Sequence, residues 1–326
     1  MNETEPIPHW PGRLVPLGGG QQVYVRSAPA PKVPETPEGA EPALFVHGLE
    51  GSSRNWTDLM DLLRPRLACE AVDLPGFGDS PPRPDGRYSV AAFAQTVIAL
   101  IEKTGPVHLI GNSLGGAVSV RVAATRPELI RTLTLISPAL PDLRPRLDLV
   151  RFPVMGLPRV GPRLIRQYQA TLPPERRVAA VIATCYSNPG LFPQARFAAE
   201  VAELSRRDSV EYAAAALVGS ARALSAEFLR MGRRSPWRDA ARVTAPVLVI
   251  YGQQDRLVDP RAAGRAAHVF RDARIVVLPR TGHVAQMERP RLVAAELGIL
   301  LASAGAAADR GTEAGQAREF PLAPAG

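Results

Sequence analysis

Two hydrophobic patterns alternate along the chain. Leu14–Val25 alternates apolar and polar positions about Gly18-Gly19-Gly20, a turn suited to positive φ, and predicts a hairpin. Ala43–Val46, Cys69–Leu74, Val107–Ile110 and Leu133–Ile136 are short continuous apolar runs, the pattern of strands covered on both faces. Between them Asn55–Leu63, Ser89–Lys103 and Ala117–Thr125 have helical period, with Ser89 placed to cap its helix. From Pro141 to Ala240 no buried strand can be found, and Pro193–Leu204 and Ser209–Ala223 read as helices. The alternation resumes with Val247–Tyr251, Pro260–Phe270, Arg274–Leu278 and Pro290–Leu301. The pattern predicts an α/β protein with a mostly parallel, helix-covered sheet. Residues 1–140 and 241–303 form its two parts, 141–240 a helical insertion, and 304–326, rich in Ala, Gly and Pro, an expected disordered tail.

Composition narrows the class. A chain of 326 residues, 46% hydrophobic, buries a core large enough to need no disulfide or metal staple. The two cysteines, Cys69 and Cys185, are expected to be reduced thiols. Neither CxxC nor HExxH occurs, so no metal or cofactor is expected. No apolar run reaches the ~18 residues of a membrane span. The segment Met1–Trp10 is acidic without an apolar h-region, which places the chain in the cytoplasm by expectation.

The formal charge is +8, and it is not spread evenly. Residues Pro141–Ala240 hold 16 Arg against 9 acidic side chains, whereas the other 226 residues are nearly balanced. Arginines without aromatic interleaving argue against nucleic acid. They suit an acidic substrate or peripheral contact with a lipid surface. The start of the insertion mixes Val150, Phe152, Val154, Met155, Leu157 and Val160 with arginines. Packing on the main domain with arginines outward is the favoured reading, lipid contact the other. Tyr168, Tyr186, Tyr212 and Trp237 are candidates for a pocket wall. Nothing in the pattern sets an oligomeric state.

The chemistry concentrates at strand ends. Gly111-Asn112-Ser113-Leu114-Gly115 follows a strand and precedes a helix, the context in which G-x-S-x-G exposes a serine on a sharp turn. The helix N-terminus there favours developing negative charge. A serine hydroxyl is a weak nucleophile and needs a base.

With four further stretches, this turn resembles the α/β-hydrolase superfamily over about Val23 to Leu301. His47-Gly48-Leu49-Glu50-Gly51 looks like the family's oxyanion loop. Asp73-Leu74-Pro75-Gly76-Phe77-Gly78-Asp79-Ser80 matches a turn after the next strand. Gly252-Gln253-Gln254-Asp255 matches the acid loop and Gly282-His283 the base loop, and the order Ser113, Asp255, His283 is the family's. The resemblance implies Ser113 as nucleophile, His283 as base and Asp255 as its orienting acid. It also implies an oxyanion hole from the backbone N–H groups of Leu49 and Leu114, supported by His47, Gly48, Gly111 and Gly115.

The competitors have other expected uses. His9 lies in a loose N-terminus, His108 in a strand, His268 on a solvated helix face, and His47 orients its loop. Asp259 suits a helix cap, and Asp73 and Asp79 suit turn hydrogen bonds; Asp142, after the strand Leu133–Ile136, stands where some members of the resembled family carry the acid instead. Serine at the elbow, where related epoxide hydrolases and dehalogenases have aspartate, directs the reading to carbonyl substrates. A small-molecule carboxylic ester or other acyl compound is the expected substrate. Hydrolysis of C–C bonds in meta-cleavage-type diketones is the alternative, lowered by Val284 where that group commonly has tryptophan. A non-catalytic binding protein on the same fold is a third class.

Overall fold

The computed structural model describes residues 7–30, 40–141, 154, 156–157, 160–230, 232 and 235–316, with 307–316 as backbone alone. Strands β1 (Gly12–Gly18) and β2 (Gln21–Ser27) form the expected hairpin. They are followed by β3 (Glu41–Val46), helix α1 (Thr57–Leu63), β4 (Leu67–Val72) and α2 (Val90–Thr104). Then come β5 (Val107–Asn112), α3 (Leu114–Thr125) and β6 (Ile130–Ile136). Among the described residues, five α-helices stand between β6 and the next strand: α4 (Val160–Thr171), α5 (Pro174–Cys185), α6 (Gln194–Asp208), α7 (Ala213–Phe228) and α8 (Pro236–Ala240). The chain closes with β7 (Val247–Gly252), α9 (Ala262–Val269), β8 (Ala273–Leu278), α10 (Ala285–Glu288) and α11 (Pro290–Gln316).

The eight strands form one sheet in the order β1-β2-β4-β3-β5-β6-β7-β8. Only the pairings made by β2 are antiparallel. The pleat divides each apolar run between two layers. Leu44 and Val46 of β3 pack with α2 and α3, while Ala43 and Phe45 pack with α1 and α11. In β7, Val247, Val249 and Tyr251 take the first face and Leu248 and Ile250 the second. Burial on both sides is why these strands read as continuous runs rather than alternating ones. Ser89 caps α2, its side chain accepting from the Ala92 amide.

Two readings change. Helix α11 continues past Leu301 to Gln316, into the segment read as a tail. Its Ala-rich composition sustains a helix even without an apolar stripe. Trp237 is no pocket residue: it is buried in the sheet's larger core, with its indole N–H donating to the Pro141 carbonyl at 2.6 Å. Asp142, Val150, Phe152 and Met155 lie outside the described residues.

Candidate active site

The parallel strands β3, β5, β7 and β8 all deliver their carboxyl ends to one edge of the sheet, where α/β folds commonly bind ligands. Val46 leads into His47, Asn112 into Ser113, Gly252 into Asp255 and Leu278 into His283. Strand order therefore gathers residues that lie up to 236 positions apart in sequence.

Ser113 has φ 54° and ψ −116°, a conformation that a side chain rarely adopts. Its N–H donates to the Ile136 carbonyl at 3.0 Å, and its carbonyl accepts from Ala117 and Ala139. The turn closes only because its neighbours lack side chains. A Cβ on Gly115 would sit 2.1 Å from the Val46 carbonyl oxygen, and one on Gly111 would sit 2.5 Å from that of Gly115. Helix α3 thus begins against the end of β3, with the amides of its first turn free of helical partners. A Cβ on Gly48 would lie 3.1 Å from Ser113 Cβ, so the 47–51 loop abuts the serine.

His47 is buried and its tautomer follows from its partners. Nε2 accepts the Leu74 amide hydrogen at 2.9 Å, so Nδ1 carries the proton and donates to the Gly48 carbonyl at 2.7 Å. Burial holds its pKa below the usual histidine value. A neutral ring with both nitrogens engaged fits the positioning use expected for it.

His283 Nδ1 lies 2.9 Å from Asp255 Oδ2. Asp255 Oδ1 accepts the amides of Leu257 and Val258 at 2.8 and 2.9 Å. Burial opposes ionisation of Asp255, yet its pKa stays below the usual carboxylate value. The His283 charge and hydrogen bond, the Val258 amide and the Ser137 hydroxyl outweigh the desolvation. An ionised Asp255 can only accept, so His283 Nδ1 carries the proton of that hydrogen bond. The Asn112 side-chain amide donates to the carbonyls of Ile136 at 3.0 Å and His283 at 3.2 Å, tying the serine turn to the histidine loop.

Two features escape the sequence. Ser137, buried at φ 44°, places its hydroxyl beside Asp255. Glu288 is buried, and its carboxylate accepts the Gly282 amide at 2.6 Å, the amides of Ser187 and Asn188, and the Ser187 hydroxyl. The His283 amide in turn donates to the Cys185 carbonyl at 2.7 Å. The Gly282 amide is thereby held by Glu288, and the His283 amide by the end of α5. The signal was the Glu at the end of Gly-His-Val-Ala-Gln-Met-Glu, but its partners sit about 100 residues earlier.

The competing residues have other partners. Asp259 is buried and accepts from the backbone and guanidinium of Arg261. Asp73 accepts the amides of Ser53 at 2.5 Å and Asp79 at 2.9 Å, as expected of a turn carboxylate. Asp79 also pairs with Arg206 of α6 at 3.0 Å. His108 lies between Thr132 and Glu41, away from Ser113, and exposed His268 bonds the Gly264 carbonyl within its own helix. His9 is not loose. It meets Thr57 Oγ1 at 2.7 Å, and burial plus Arg196, Arg54 and Arg26 lower its pKa to about 3.

Of the pocket candidates, Tyr186 is buried beside Phe192 and packs near Val284 and Met287, next to the histidine loop. The Tyr212 hydroxyl reaches the Ser80 carbonyl at 3.4 Å, and Tyr168 is exposed. Among the described residues, no group of three or more His, Cys, Asp or Glu is placed to hold a metal ion. Nor is any described helix long and apolar enough to cross a membrane.

Known proteins share this arrangement of elements. The chain is 28% identical over 255 residues to the dihydrolipoyllysine-residue acetyltransferase component of the acetoin cleaving system of Cupriavidus necator, covering 77% of this chain and 61% of that protein. The chain thus spans about three fifths of that relative's length. It is 28% identical over 253 residues to 2-(acetamidomethylene)succinate hydrolase of Mesorhizobium japonicum, covering 76% and 84%. In structure it is similar to 2-hydroxy-6-oxo-6-phenylhexa-2,4-dienoate hydrolase of a Rhodococcus species. The TM-score is 0.70 at 20% identity, over 89% of this chain and 98% of that one. The sequence profile of the Alpha/beta hydrolase family matches residues 43–296, and the chain belongs to that family.

Proposed function

We propose that the chain is a serine hydrolase that cleaves a carboxylic ester through an acyl-enzyme on Ser113. The observation that carries this reading is the His283 Nδ1–Asp255 hydrogen bond at 2.9 Å, on a loop tied to the serine turn through Asn112. His283 Nε2 takes the Ser113 proton as Oγ attacks the ester carbonyl carbon. The resulting oxyanion lies at the amides of Leu49 and Leu114, each able to lower the barrier by about 2.7–4 kcal/mol. The tetrahedral intermediate collapses, the C–O bond breaks, and His283 returns the proton to the leaving alcohol. Water then attacks the acyl-enzyme with His283 again as base, releasing the acid and restoring Ser113. Helices α4–α7 act as a cap that shapes the acyl pocket, with Tyr186, Val284 and Met287 beside the base.

A second reading has one observation in its favour. Arg207 of α6 donates to the Glu50 carbonyl at 2.7 Å and lies over the Phe77 ring, beside the oxyanion loop. No described carboxylate lies within ion-pair distance of it. That supports a substrate carrying its own carboxylate, as hydrolysis of a meta-cleavage-type dienoate at a C–C bond would require. Turnover of p-nitrophenyl esters of increasing acyl length, with Ser113→Ala as control, separates the readings. Ester turnover abolished in the variant supports the esterase. Turnover confined to a dienoate carboxylate favours the C–C hydrolase, and binding without turnover favours the non-catalytic protein.

A further inference from the structure

Helix α4 shows an unusual face to solvent. Val160, Leu164 and Tyr168 recur every fourth residue, so they share one face of the helix. They are 43%, 41% and 43% exposed, and Leu157 just before them is 48% exposed. The helix packs on the neighbouring face: Gly161 and Ile165, each one position on from Val160 and Leu164, are buried. Gly156 sits against the backbone of Arg222 in α7, whose Nε donates to its carbonyl at 2.7 Å. The apolar stripe therefore borders the packed face and is only half covered by it.

The charges on this stretch of the chain have a single sign. No acidic residue occurs between Asp148 and Glu175, a stretch with four arginines. Of these, Arg163 and Arg166 are exposed on α4, and no described carboxylate lies within ion-pair distance of either. The nearby acid, Asp208, is taken by Arg177 and by the Gln169 amide. Arg177 also stands over the Tyr168 ring. Helix α6 behaves differently. Its Arg196, Glu203 and Arg206 are matched by Asp58, Arg54 and Asp79, and its Arg207 donates to the Glu50 carbonyl. An exposed apolar stripe on a helix whose polar side carries unmatched arginines, Arg163 next to the stripe and Arg166 farther round, is the pattern of a helix that lies in an anionic lipid interface.

We propose that the outer face of α4 is a docking surface for an anionic lipid bilayer, with Leu157, Val160, Leu164 and Tyr168 entering the interface and Arg163 and Arg166 meeting its headgroups. This does not depend on which bond the active site cleaves. It places the insertion, rather than the sheet, toward the membrane, and makes binding dependent on salt as well as on apolar area.

The test is co-sedimentation of the full chain with vesicles of phosphatidylcholine alone and of phosphatidylcholine with phosphatidylglycerol. The variants are Val160→Glu/Leu164→Glu and Arg163→Gln/Arg166→Gln, with circular dichroism and the thermal unfolding midpoint to confirm folding. Binding to the anionic vesicles at low salt is expected. It should be lost in the glutamate pair and weakened roughly tenfold or more in the glutamine pair. Failure of the folded chain to sediment with anionic vesicles overturns the proposal. So does binding that the glutamate pair leaves intact, or equal binding to phosphatidylcholine alone. A dimer in sedimentation velocity that Leu164→Glu dissolves would give the face to a second copy and also overturn it.

Discussion

The Glu288 carboxylate accepts the amide hydrogen of Gly282 at 2.6 Å, one residue before His283, while its other partners belong to the turn after α5. Glu288 thus ties the histidine loop to the turn after α5, about 100 residues earlier in sequence. Glu288→Gln keeps the shape but halves the acceptors, leaving buried amides without partners. It is expected to cost about 2–3 kcal/mol of stability. Urea titration checks the stability. kcat measured well below the melting point should also fall, whereas a residue serving stability alone would leave kcat unchanged.

The Asp255–His283 pair gives a sharper prediction. In Asp255→Asn the side-chain oxygen can still accept from Leu257 and Val258, so the NH2 group faces His283 Nδ1 and forces the proton to Nε2. The base is then in the wrong tautomer, and kcat should fall on the order of 10⁴-fold with little change in the melting curve. Retained activity would remove Asp255 from the mechanism.

Gly115 is a steric prediction. A methyl group there would lie 2.1 Å from the Val46 carbonyl oxygen, which belongs to a central strand and cannot move aside. Gly115→Ala should destabilise by about 3 kcal/mol or more, above the usual overpacking cost, and be read as a loss of soluble, folded protein.

Acid sensitivity follows from His9. Its folded pKa of about 3 lies below the unfolded value near 6.5. Between these values the unfolded chain binds the proton and the folded one does not, so stability falls as pH drops from 6.5 toward 3. The slope is at most about 1.4 kcal/mol per pH unit, less whatever solvent screens. Burial lowers the pKa of His47 and His108 as well, with the same sign. Unfolding midpoints of His9→Asn should decline less between pH 7 and 5 than those of the parent chain. Equal decline would show that His9 contributes nothing.

What could be read from the sequence was whatever local chemistry determines. Continuous apolar runs marked β3, β5, β6 and β7 because both faces of each of these strands are covered, whereas the edge strand β8 is partly exposed. The glycines of the serine turn were visible because close backbone contact admits no other residue. Residues fixed by distant partners were not legible. His9 passed for a loose end because Thr57 and Arg196 reach it only in the fold. Trp237 passed for a pocket residue because its helix packs with the core of the sheet. The contacts of Glu288 and Ser137 come from chain segments that sequence spacing does not relate.

The most direct test of the central claim is covalent. The folded chain would be treated with a fluorophosphonate, the adduct mapped by mass spectrometry, and the rate compared in His283→Ala. The account predicts one adduct on Ser113, formed far more slowly without the histidine. An unlabelled Ser113 in the folded chain, or labelling indifferent to His283, would contradict it.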